Sequence, residues 1–173
     1  MSIYPSNLQL FIAAAATVLL LVAAWQDVVT RTIPDVVCIA LAILGIAGRV
    51  PDGGAAVALS VGVGVAVFLL LSIPAAFGAM GGGDVKLIAA LAIGLPPLGV
   101  WQLIATIAYA GGGLAVLYWA ARRLPLPRLR AGGDALHRVL AVERWRACRA
   151  APLPYGVAIA IGGALTLLAP LGG

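Results

Sequence analysis

Asp27 and Asp84 are the residues of this sequence best placed to do chemistry. The chain has only six acidic residues among 173, and these two stand at the ends of apolar runs: Asp27 follows Leu8 to Trp25, and Asp84 precedes Val85 to Leu95. An ionisable side chain within a membrane domain is unfavourable to keep and marks a functional site by default. Two carboxylates brought together in a low-dielectric cavity do not both ionise easily. One then acts as general base on a water while the other, protonated, polarises a peptide carbonyl; paired carboxylates hydrolyse peptide bonds in this way. The competing reading is a pair of solvated helix ends, because aspartate beside a helix N-terminus caps the backbone and complements its dipole. Asp35, which follows Pro34 at the head of an apolar run, suits a cap, and Asp52 sits in a Pro-Asp-Gly-Gly turn.

The residues before Asp84 favour chemistry there. Gly81, Gly82 and Gly83 remove every side chain that would block the approach of a backbone, and they permit dihedrals closed to other residues. An extended peptide substrate needs such access. A hinge or close helix packing would use the same glycines. A phosphate-binding loop is disfavoured, since no Gly-Lys-Ser/Thr ending follows.

The elements that must hold these residues are apolar. The chain is 63% hydrophobic and 10% charged, with a mean hydropathy of +1.11, where a soluble domain carries about 25% charged residues. That excludes a soluble globular enzyme, and it excludes disorder, which needs the opposite composition. An all-α polytopic membrane protein remains. Cys38 and Cys148 form no CxxC pair, so neither a disulfide scaffold nor a four-cysteine zinc site is available.

Charges, prolines and glycines divide the chain into six apolar runs: Leu8 to Trp25, Val36 to Ala47, Ala55 to Ile73, Val85 to Leu95, Leu98 to Ala121 and Tyr155 to Leu168. The first reaches about 27 Å as a helix, enough to cross a hydrocarbon core. The second and fourth reach only about 16–18 Å and must extend into flanking polar residues or cross where the bilayer is thinned. No repeat is apparent, and the absence of a positive stretch before the first run predicts no cleaved signal peptide. Eight arginines crowd residues 122–151, which the positive-inside rule makes cytoplasmic. Counting crossings from there puts about 26–35, 74–84 and 122–152 inside, and both termini outside. With Lys86, just past the second of these segments, ten of the eleven basic residues then lie inside and Arg49 alone outside. The net charge of +5 thus reports topology and membrane lipids, and no nucleic-acid partner is expected. Asp27 and Asp84 share the cytoplasmic side; Asp52 does not.

Three segments carry a family resemblance. Gly81-Gly82-Gly83-Asp84-Val85-Lys86-Leu87 is similar to the GxGD-x-KL segment of type IV prepilin peptidases. Asp27 to Asp35, ending in Ile33-Pro34-Asp35, resembles their first aspartate segment, and Pro154-Tyr155-Gly156 resembles the segment that opens their last helix. All three occur in the family's order, so the resemblance covers one membrane-embedded domain over 1–173. It implies a GxGD-type membrane aspartic endopeptidase of the bacterial inner membrane that cuts leaders from prepilins at the cytoplasmic face. Asp27 and Asp84 match the catalytic pair; Gly81, Gly82, Gly83, Lys86, Pro154, Tyr155 and Gly156 match site-shaping positions. No metal or organic cofactor is implied, and the implied partners are prepilin-like substrates, lipids and the pilus assembly machinery. Long members carry an N-terminal CxxC domain and also methylate the new pilin terminus. This sequence has seven residues before its first run and no CxxC, so it resembles the short form associated with Flp or tight-adherence pili, cleaving without methylation.

Two other readings stand beside this one: a relative acting on preflagellins or other membrane segments, and a small transporter relaying protons or cations through Asp27 and Asp84. Weaker features divide similarly. Lys86 suits a lysine snorkelling to the headgroups. Asp134 suits an N-cap for a surface helix over 135–149, whose stripe Glu143 interrupts, and His137 suits a surface position. Trp25, Trp101, Trp119, Tyr109 and Tyr118 read as interface or packing aromatics, while Gly62, Ala66, Gly111, Gly112 and Gly113 predict close helix packing.

Overall fold

The computed structural model of the protein describes residues 7–123, 142 and 153–168. The surface helix expected over 135–149, His137 and Cys148 lie outside the described residues. Within them the chain forms six α-helices and no strand: α1 (Asn7–Thr30), α2 (Asp35–Arg49), α3 (Gly54–Ala76), α4 (Gly82–Ile93), α5 (Pro97–Arg123) and α6 (Tyr155–Leu168), with a 3-10 turn at Val50–Asp52. The expected all-α architecture is therefore observed.

Helix ends follow local chemistry. The first helix passes Trp25 and Asp27 and stops where Arg31 turns left-handed, at φ 58°; the Arg31 N–H donates to the Asp27 carbonyl at 2.9 Å, and Pro34 forbids continuation. Gly53, at φ 95°, opens α3. Pro74 sits inside α3, which continues to Ala76; a proline so near the end removes only one hydrogen bond. The fourth helix begins earlier than its apolar run, at Gly82, and ends at Ile93 rather than Leu95, because the Gly94 N–H already folds back onto Leu91. Arg49 closes the far end of α2, 2.8 Å from Asp52 and 3.1 Å from the Ser60 hydroxyl of α3.

Among the described residues, only α1, α3 and α5 are long and apolar enough to cross a membrane by length and composition. The short α4 is instead the centre of the bundle. Val85 and every residue from Leu87 to Ala92 are buried, enclosed by α2, α3 and α6. At 12 residues it is about 18 Å long, and its neighbours shield it from lipid. The sixth helix packs on α1 and α5. The core gathers around Leu20, Leu87, Leu103 and Ile159, all fully buried. The outer face bears Phe11, Leu21, Leu70, Trp101 and Tyr109, a surface that lipid rather than water solvates.

Of the small residues expected to pack closely, only Gly111 does so. Gly62, Gly112 and Gly113 have nothing within 4 Å of a notional Cβ, and of the three successive glycines only Gly111 is packed, against Tyr155; Ala66 is exposed. The tight crossings lie elsewhere. A Cβ on Gly45 would lie 2.8 Å from the Gly94 backbone, and one on Gly162 would lie 2.6 Å from the Ile107 nitrogen. Beside Gly162, the Thr106 hydroxyl joins α5 to α6 by bonds of 3.0 Å to the Gly162 carbonyl and 2.9 Å to the Thr166 hydroxyl, a polar clasp of the kind that holds helices together in lipid. Gly162→Val is expected to force α5 from α6 and destabilise the bundle by about 1–3 kcal/mol, read as a lowered unfolding temperature in detergent.

Candidate active site

Asp27 occupies the last turn of α1 and is buried, with 7% of its surface exposed. The first turn of α6 docks against it. The first N–H groups of a helix have no partner within the helix, and that of Gly156 donates to Asp27 Oδ2 at 2.8 Å. The positive end of the α6 dipole points the same way. Only glycine fits there: a Cβ on Gly156 would lie 2.8 Å from Asp27 Cβ and 2.9 Å from Oδ2. Pro154, before it, is buried and starts the helix by accepting the Val157 N–H.

Asp84 is the third residue of α4, following Gly81 as N-cap, and is half-buried. Its carboxylate folds back over Gly81, beside the positive end of the helix. Asp84 thus also complements the dipole of its helix from the first turn, part of the role considered for the aspartates in general. The three glycines separate by function. A Cβ on Gly81 would lie 2.9 Å from Asp84 Oδ2, one on Gly83 would lie 3.2 Å from Ile33 Cβ, and Gly82 faces open space. The bundle brings the two aspartates into electrostatic reach of each other. An enclosed carboxylate held by a backbone amide therefore stands near a second one that remains partly open to water.

The model of the type IV leader peptidase family matches residues 14–120, more than half of the chain. The chain belongs to this family. The matched span contains both aspartates, while the Pro154–Gly156 segment lies beyond it and enters the site through its contact with Asp27. No curated protein and no solved structure matches the chain at a significant level. As a member of the family the protein is a leader-peptidase-type protease, and its long apolar helices suit a membrane.

Two residues of this leader peptidase differ from expectation. Lys86 does not extend freely to the headgroups: its Nζ lies 2.7 Å from Asp35 Oδ1. Asp35 is not an N-cap; Pro34 holds that position, and Asp35 is the first helical residue, turned toward α4. The two residues are 51 apart in sequence, so neither helix alone signals the pair. Tyr155 is half-buried and directs its hydroxyl to Gly111 of α5. A cavity of about 390 Å³ opens among α2, α3 and α4, lined by Cys38, Ala42, Gly64, Phe68, Ala89 and Ile93 with Asp35 and Lys86 at its rim; on α4 these residues lie on a different face from Asp84. The sequence reading missed the amide of Gly156 on Asp27, the left-handed Arg31 and the Asp35–Lys86 pair. For the first of these the glycine of the Pro154-Tyr155-Gly156 segment was the available signal.

Proposed function

We propose that this leader peptidase is a membrane aspartic endopeptidase that removes the leader of type IV, Flp-like prepilins at the cytoplasmic face of the bacterial inner membrane, with Asp27 and Asp84 as its catalytic pair. One observation carries the reading: two carboxylates on separate helices lie in electrostatic reach, one buried and fixed by Gly156, the other half-buried beneath a glycine segment. The pair needs one proton between them. The ionised carboxylate takes a proton from water as the water oxygen attacks the scissile carbonyl carbon, and the protonated carboxyl hydrogen-bonds the carbonyl oxygen. The tetrahedral intermediate then breaks its C–N bond as a proton passes to the leaving amine. Exposed Gly81 and Gly82 leave room for an extended substrate backbone beside Asp84.

The cytoplasmic assignment rests on the ten basic residues that the crossing count gathers on one side. Prepilins are the substrates, lipids surround the enzyme, and the pilus assembly machinery receives the product. The deciding experiment incubates purified protein in liposomes with a Flp-like prepilin and measures the mass of the product. Cleavage at the leader junction is expected. Proton or cation flux through the liposomes, abolished by Asp27 and Asp84 substitutions and unaccompanied by cleavage, overturns the reading in favour of a transporter. In the same assay with a methyl donor, the expected pilin mass is that of the cleaved, unmethylated chain; a gain of one methyl group refutes the short-form assignment.

A further inference from the structure

The connector between α1 and α2 is four residues long, and it and the first residue of α2 each touch α4. It leaves α1 at Arg31, whose left-handed turn is closed on the Asp27 carbonyl at 2.9 Å, and it enters α2 at Pro34. Ile33 packs against Gly83, where a Cβ would lie 3.2 Å from Ile33 Cβ. Two residues on, Asp35 Oδ1 meets Lys86 Nζ at 2.7 Å. Gly83 and Lys86 are three apart and share one side of α4, while Asp84 lies about 100° round the helix from Gly83. The segment leading from Asp27 is thus fastened on both sides of Asp84 along the α4 chain.

We propose that Asp35 and Lys86 are positioning residues: their ion pair straps the head of α2, and with it the connector that follows Asp27, to the start of α4 just past Asp84 and so sets the separation between Asp27 and Asp84. The inference rests on the function proposed above. An exposed ion pair adds little to folding stability, and both side chains are exposed, at 46% for Lys86 and 65% for Asp35. Its leverage lies in geometry, because a misplacement of about 1 Å in a catalytic constellation slows a reaction about 10²-fold. The pair also lines the cavity among α2, α3 and α4.

The test measures prepilin cleavage in liposomes by Asp35→Asn, by Lys86→Met and by the charge-swapped double variant Asp35→Lys with Lys86→Asp. Each single variant is expected to lower kcat about tenfold, with KM within twofold of the wild type and an unchanged unfolding temperature, and the swap to recover most of the lost turnover. The swap keeps the attraction and remains informative if a neutral variant fails to accumulate; a swap as slow as the single variants overturns the strap. Single variants within twofold of wild-type kcat also overturn it. A raised KM at unchanged kcat overturns it in favour of direct substrate contact. Asp27→Asn and Asp84→Asn are assayed alongside. If they still cleave, the proposed function fails; if they are inactive while the strap variants are fully active, the strap alone fails.

Discussion

Asp27→Asn and Asp84→Asn are each expected to slow prepilin cleavage by about 10⁴-fold, and the double variant to be no slower than either. In the proposed mechanism the pair works as a unit: without one carboxylate, either the water keeps its proton or the carbonyl goes unpolarised. Asparagine preserves shape and an acceptor oxygen, so in Asp27→Asn the Gly156 amide, 2.8 Å from Asp27 Oδ2 in the wild type, keeps a partner. The helices should therefore remain assembled, with unfolding temperatures in detergent close to that of the wild type. Mass spectrometry of the pilin product gives the rate. Substantial cleavage by either variant, with the protein folded, rejects the dyad.

Gly156→Ala should have the next largest effect. The added methyl would sit 2.8 Å from Asp27 Cβ, 2.9 Å from Oδ2 and 3.0 Å from Cγ, against the carboxylate itself rather than the tip of a flexible neighbour. Asp27 must move, or the first turn of α6 must back away and give up its amide bond. A shift of this kind predicts a loss in kcat of about 10²-fold. Alanine is a better helix former than glycine, so helix propensity does not account for such a loss. A Gly112→Ala control, at a glycine with nothing within 4 Å, should leave turnover unchanged. Equal rates for Gly156→Ala and wild type would show that the amide contact is dispensable.

The helices were legible in the sequence because lipid demands long uninterrupted apolar runs and because prolines, glycines and charges interrupt them; the last run, Tyr155 to Leu168, coincides with α6. Which face of each helix is buried was not legible. In a soluble helix the polar residues mark the outside, but here residues facing lipid and residues facing the core are equally apolar. The Gly111 to Gly113 run therefore looked like a packing surface, while the close crossings were at Gly45, Gly94 and Gly162. The candidate carboxylates were visible as rare charges beside apolar runs. Their fastening was not, since Gly156 on Asp27 and Lys86 on Asp35 join residues 129 and 51 apart, separations that no local pattern encodes.

The alternation of long and short helices bears on how the protein is made. Among the described helices only α1, α3 and α5 qualify by themselves as spans, and the next full helix described after each is a shorter one, α2, α4 or α6. During biosynthesis the long helices can enter the bilayer one at a time, and each short one gains a place by folding back as the second arm of a hairpin. Asp27 lies at the bend of the first hairpin and Asp84 at the bend of the second, while the amide that holds Asp27 arrives only with the third. Both carboxylates are thus present before the last helix, but the amide that fixes Asp27 is in place only when that helix has packed, so on the proposed function the site is finished last.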